Sequence, residues 1–165
     1  MHLVENELKT IAFVDILIPY TKSFLKELKE INASPTLVNK MNTTLLQEMS
    51  SAAEVTLQEE LDNFKSDEKS SYQEFVETMN SILVAKYPVL DKILHTLAQN
   101  YLQHIQNIYS NFSKDFDRIV KCFSLNTNEN ITIKDIDSSL GDGHSGESTA
   151  LITLSDDTKL IYKPR

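Results

Sequence analysis

The sequence predicts a mostly helical α+β protein, an N-terminal helical bundle followed by a short antiparallel β-meander. Three observations predict it. The chain of 165 residues holds only three glycines, Gly141, Gly143 and Gly146, all within six positions of one another. Glycine and proline punctuate or break helices, so a chain this poor in both is built mainly of helix. Apolar residues recur at three- and four-residue spacing as far as Phe123, the period of a helix with one buried face. After Asn126-Thr127-Asn128-Glu129-Asn130 the period shortens toward two, which marks strands. The boundary falls near residue 126, with a helical region over 1–125 and a β region over 126–165.

Leu8 to Leu17 is apolar enough for an opening helix. Pro19 fits the first turn of a second helix over about residues 20–31, with Phe24, Leu25, Leu28 and Ile31 on one stripe. Ser34 as N-cap and Pro35 at the first helical position start a third. Along it Val38, Met41, Leu45, Met49, Ala52, Leu57, Leu61 and Phe64 carry the pattern. The polar run Ser66-Asp67-Glu68-Lys69-Ser70-Ser71 links it to a fourth helix, marked by Tyr72, Phe75, Val76, Met79, Ile82 and Leu83. Pro88 restricts Tyr87 and ends or kinks that helix. Beyond it helical spacing continues to Phe123, a length of roughly 54 Å at ~1.5 Å per residue, with a bend expected near Ser110 to Ser113 if the helix is interrupted. Ile131, Ile133 and Ile136 mark a first strand, Ala150–Leu154 a second and Lys159–Tyr162 a third. The turn Ser155-Asp156-Asp157-Thr158 joins the last two.

Charge and processing signals narrow the function. Lys plus Arg number 16 and Asp plus Glu 24, for a net charge of −8. A nucleic-acid binder needs a basic footprint, and so does a protein held on an anionic membrane surface. The single cysteine, Cys122, forms no internal disulfide, which suits a reducing compartment. Beside Val120 and Phe123 it reads as a small core residue. The start, Met1-His2-Leu3-Val4-Glu5, has no basic n-region or apolar h-region, and no apolar run approaches the ~20 residues of a membrane span. The expectation is a cytoplasmic protein with no transmembrane segment and no nucleic-acid partner. His95 and His104 share the long helix at an offset that sets them about 180° apart around its axis, so they read as packed or surface residues rather than a metal pair.

The candidate chemistry lies in Leu140-Gly141-Asp142-Gly143-His144-Ser145-Gly146-Glu147-Ser148, between the first two strands. Glycine lets backbone N–H groups approach a bound anion. Kinases join two antiparallel strands by such a loop and place a lysine on the next strand to reach the phosphates. Lys163 is that lysine here. Asp142 and His144 add groups able to act as acid, base or anchor. The pattern is neither a Walker A loop nor a dinucleotide fingerprint. On these residues alone, an ordinary hairpin loop with Asp and His in turn positions remains an open alternative.

The runs Gly141-Asp142-Gly143-His144-Ser145-Gly146 and Lys159-Leu160-Ile161-Tyr162-Lys163-Pro164-Arg165 resemble the dehydratase domain of class II lanthipeptide synthetases, the LanM-type lantibiotic enzymes. That family carries a G-D-x-H-x-x-G loop, an apolar strand and a K-L-V-Y-K-P-R strand. The resemblance extends upstream over Tyr72 to Leu90, including Tyr87-Pro88-Val89-Leu90, and, more weakly, to Phe13-Val14-Asp15-Ile16-Leu17-Ile18-Pro19. It implies an enzyme that phosphorylates Ser and Thr of a ribosomal precursor peptide, leader plus core, using ATP and Mg²⁺. Phosphate elimination then leaves dehydroalanine or dehydrobutyrine. The β region is by this resemblance the start of a kinase-like N-lobe. Lys163 matches the lysine of phosphoryl transfer, with Gly141, Gly143, Gly146 and Lys163 on the nucleotide. Asp142 and His144 match the pair of the dehydration site. Lys163 is expected to face that pair. An export transporter is a further implied partner.

Two departures stand out: Glu147 replaces a more usual basic residue, and the turn 155–158 lacks a common glycine. The kinase-type catalytic loop and metal carboxylates follow the lysine strand in that family and are missing here. The chain is accordingly expected to be an N-terminal fragment, inactive alone and with no metal ligands of its own. The readings set against this are a non-catalytic helical interaction module and another kinase-like ATP-binding lobe.

Overall fold

Phe13 decides how the chain begins. In the computed structural model, which describes residues 8–65, 71–138 and 148–164, Phe13 is left-handed at φ 58°. That conformation is costly for an aromatic residue, and burial to 7 % exposure holds it there, its ring 6.3 Å from that of Phe75. The expected helix over Leu8–Leu17 is therefore cut to a short α1, Val14–Leu17. Ser50 donates 2.9 Å to the carbonyl of Ala12, satisfying the backbone at this corner. A 3₁₀ turn, Ile18–Thr21, carries Pro19 in its first positions and leads into α2, Lys22–Glu30.

Helix α3, Pro35–Phe64, starts where Ser34 accepts from the Leu37 N–H at 3.2 Å. Its buried stripe runs Met41, Leu45, Met49, Ala53 and Leu57, so Ala53 takes the inward place expected of Ala52. Helix α4, Tyr72–Lys86, opens on a capping box: Ser71 accepts from the Glu74 N–H and Glu74 accepts from the Ser71 N–H. It ends before Pro88, and α5, Pro88–Phe123, runs unbroken for 36 residues. Ser124, left-handed at φ 52°, closes α5, and the Leu125 N–H reaches back to the Val120 carbonyl at 3.1 Å. Cys122 is exposed, not a core residue. The last turn, Lys121 to Phe123, is exposed throughout, so nothing there is available to bury a thiol.

The strands are β1, Ile133–Asp137, β2, Ala150–Leu154, and β3, Lys159–Tyr162, in the antiparallel order β1-β2-β3. This is the mostly helical α+β fold with a terminal meander that the sequence predicts. A bulge at Lys134 shifts the register from Ile133↔Leu154 to Asp135↔Thr153. It lets Ile133 and Ile136, three apart, both face the buried side. Asp157 adopts φ 66° in the β2–β3 turn, taking the place a glycine usually fills, and Lys134 pairs with it at 2.6 Å.

The chain forms two compact units, Met1–Leu25 with Asn39–Gln99, and Lys26–Val38 with Asn100–Arg165. They group the residues differently from the division by secondary structure at 125/126. The first unit buries Phe24, Leu45, Met49, Leu57, Phe75, Met79 and Leu94 among others. Within it Glu60 accepts from Lys86 and Tyr87, and Tyr20 donates to Asp91 at 2.8 Å. The second buries Leu28, Leu37, Ile105 and Ile108 with the inner face of the sheet. Among the described residues, no helix is long and apolar enough to cross a membrane.

Candidate functional site

Strand alternation in the second unit separates two faces of the sheet. Ala150, Ile152, Leu154 and Leu160 are buried on one. Leu151 pairs directly with Ile161, and both lie on the other face, which Lys163 shares as the second residue after Ile161. Ile161 is 64 % exposed and the Lys163 side chain is exposed as well. No ion pair among the described residues occupies the Lys163 amine. An open apolar surface thus stands beside an available cation. A purine ring needs the first and a phosphate the second.

The same face carries Asp135 and Asp137 from β1, opposite Thr153 and Leu151. Lys134 and Asp157 hold each other charged: the ammonium is pushed up and the carboxyl held down by their mutual hydrogen bond. Along the edge of β3 and the outer part of α5 runs an open cavity of about 770 Å³. Asn107, Asn111, Asp115, Arg118, Tyr162 and Lys163 supply its polar wall, with Phe112 and Phe123 among the apolar residues. Nearby, burial pushes the Tyr109 hydroxyl up to about 12, so it stays protonated at physiological pH.

Of the residues singled out by sequence, Lys163 has the placement just given. Gly141, Asp142, Gly143, His144 and Gly146 lie outside the described residues, and with them the expected approach of Lys163 to Asp142 and His144. What the structure describes is the frame on either side of them. Ser138, directly after β1, and Ser148, two residues before β2, are joined by a hydrogen bond from Ser148 Oγ to the Ser138 carbonyl at 3.2 Å.

His104 was not legible as part of this frame. It is 2 % exposed on α5, and its Nε2 lies 3.3 Å from Ser138 Oγ, a hydrogen bond whose direction follows the tautomer. The Tyr162 ring packs edge-on against the imidazole at 6.0 Å, and its hydroxyl accepts from Asn111 at 3.3 Å. The signal in the sequence was a lone histidine in an otherwise apolar helical stripe, with Tyr101, Ile105 and Ile108 around it. His95 is different: exposed, 3.6 Å from Asp91, with the Tyr20 ring 5.0 Å away. Among the described residues no group of three or more His, Cys, Asp or Glu side chains is arranged to hold a metal ion.

Residues 87–165 match a family described as a domain of unknown function, DUF4135. The match begins at Tyr87, where α4 gives way to α5, and covers the long helix and the whole sheet. No curated protein sequence matches the chain.

Proposed function

We propose that this chain supplies the nucleotide-handling part of a lanthipeptide dehydratase, an enzyme that phosphorylates Ser and Thr of a ribosomal precursor peptide and then eliminates the phosphate. The observation that carries the reading is the outer sheet face, where exposed Ile161 and Lys163 stand two residues apart beside Leu151. The loop sequence Gly141-Asp142-Gly143-His144-Ser145-Gly146 lies between β1 and β2 of that sheet in sequence, and the lysine comes directly after β3, the order a phosphate-cradling lobe requires. The DUF4135 match over residues 87–165 supports it further, since that domain is associated with lanthipeptide synthetase-like proteins.

The chemistry runs in two steps. A peptide hydroxyl oxygen attacks the γ-phosphorus of ATP, ADP leaves, and the hydroxyl proton passes to a base. A base then removes the Cα proton, phosphate departs from Cβ, and a C=C bond remains. Lys163 acts in the first step as a counter-charge for the phosphates, with the adenine against Ile161 and Leu151. Asp142 and His144 are assigned to the dehydration chemistry by resemblance, where an imidazole with an unperturbed pKa of ~6.5 is suited to moving a proton near neutrality. In the resembling enzymes a catalytic loop and metal carboxylates complete the site.

Mass spectrometry of a precursor peptide incubated with the full dehydratase, ATP and Mg²⁺ tests the reading. The wild type should add phosphate to the peptide and then leave it lighter by one water per modified residue. Lys163→Ala should slow phosphorylation by about 10²–10³, the usual cost of losing one preorganised charge donor, while still eliminating phosphate from a pre-phosphorylated peptide. Phosphorylation by Lys163→Ala at the wild-type rate would overturn the assignment.

A further inference from the structure

We infer that His104 is a positioning residue, a buried bracket that holds the strand ends flanking the glycine segment in register with the strand that carries Lys163. The inference rests on the nucleotide reading above for its functional consequence, though not for its geometry. The bracket touches two places. On one side Nε2 is within hydrogen-bond distance of Ser138, the residue after β1, and Ser138 is in turn tied through its carbonyl to Ser148, two residues before β2. On the other the imidazole supports the ring of Tyr162, the residue immediately before Lys163. Asn111, two helical turns along α5, fixes the Tyr162 hydroxyl.

Packing alone does not account for an imidazole here. At 2 % exposure on a helix stripe beside Ile105 and Ile108, an aliphatic side chain would be buried without desolvating a polar ring. What the imidazole adds is direction: a hydrogen bond fixes Ser138 at one distance, where an apolar contact would let the strand end slide. A β1–β2 connection that must cradle phosphates while a lysine from β3 meets the same phosphates needs both ends held to one support. Positioning errors of about 1 Å are known to cost catalysis heavily.

The test uses Ser138→Ala, His104→Phe, His104→Gln and the double variant His104→Phe/Ser138→Ala in the full dehydratase. Phenylalanine keeps a ring against Tyr162 but cannot bond Ser138, whereas glutamine restores an amide near the position of Nε2. Losing a neutral hydrogen bond of ordinary strength predicts a rise in the KM for ATP of about 3- to 10-fold in Ser138→Ala and in His104→Phe. The double variant should be no worse than either, glutamine should return within about twofold of wild type, and the KM for peptide should not move. A purely structural loss would raise both KM values or neither.

Hydrogen exchange on the same proteins without nucleotide gives a second readout. Amides at 148–151 and 160–163 should exchange faster in Ser138→Ala and His104→Phe, with those of α4 unchanged. If His104→Phe fails to fold, Ser138→Ala, a half-buried hydroxyl deletion, decides alone. Wild-type exchange and wild-type KM for ATP in Ser138→Ala would overturn the inference. Faster exchange at both strand ends in an enzyme with no ATP-dependent turnover would support the bracket and overturn the dehydratase reading instead.

Discussion

Phe75→Ala should be among the most damaging single substitutions in the first unit. The side chain is 1 % exposed, and its ring centroid lies 5.6 Å from Phe64, 6.0 Å from Tyr72 and 6.3 Å from Phe13. Truncating a buried phenylalanine costs about 3–5 kcal/mol through lost burial and the cavity left behind. Tilted and edge-on ring pairs add about 0.5–1.5 kcal/mol beyond their area. With three such neighbours the expected loss sits in the upper half of the range, about 4–5 kcal/mol. Phe75→Leu keeps most of the apolar volume and loses the ring geometry, so it should cost about 1–2 kcal/mol. Urea unfolding followed by far-UV circular dichroism measures both. At an m-value of about 2 kcal/mol/M, Phe75→Ala lowers the midpoint by about 2 M and Phe75→Leu by less than 1 M. A drop below about 0.5 M for the alanine variant would refute the argument from burial. Equal drops for both variants would refute the argument from the rings. Phe75 also holds Phe13 in its left-handed corner, so the alanine variant should speed amide exchange around residues 11–17.

The other predictions are smaller. Ser71→Ala removes half of the capping box at the start of α4 and should cost about 1 kcal/mol, read as a fall of ~2–4 °C in Tm. Hydrogen bonds from Lys86 and Tyr87 hold the Glu60 carboxyl below the usual glutamate range, so its contribution is present above about pH 4.3 and fades as pH falls through the lowered value. The stability difference between wild type and Glu60→Gln should therefore shrink on acidification, which denaturant titrations at stepped pH would show. Deleting Lys134 removes the bulged residue and leaves Ile133 and Ile136 on one face, so the sheet should survive with its register intact. Deleting Thr153 instead slips β2 and turns Leu154 outward, which amide spectra should report as loss of the sheet.

Where the sequence was readable, a single physical signal dominated. Ser34-Pro35 starts α3 and Pro88 separates α4 from α5, because a missing N–H and a fixed φ leave few backbone alternatives. Ala150–Leu154 and Lys159–Tyr162 agree with the strands as read, since alternation and a polar turn coincide there. The losses came where tertiary contacts overrule local pattern. Nothing in Leu8–Leu17 announces a left-handed phenylalanine, whose cost is met by Phe75, more than 60 residues away. Ile133 and Ile136 break strict alternation until the bulge at Lys134 explains them. Cys122 has apolar neighbours in sequence, yet burial depends on what packs opposite, and the end of α5 is exposed.

The candidate site was legible to a different extent. Lys163 was named from its motif, but its company on the outer sheet face, Ile161 and Leu151, emerges only from the register of β2 and β3. His104 reads from sequence only as a packed or surface histidine, and the Ser138 contact that gives it meaning spans 34 residues. No local period encodes such a pairing.

The most direct measurement is labelling of the protein with an ATP analogue whose terminal phosphate carries an acyl group, which transfers to a nearby lysine amine. Lys159, which opens β3, and Lys163, which directly follows it, are both exposed and provide an internal comparison. If the outer sheet face receives the nucleotide, peptide mass spectrometry should find Lys163 acylated well ahead of Lys159, and excess ATP should protect it. Equal labelling of the two lysines, or labelling of Lys163 that ATP does not suppress, would contradict the account.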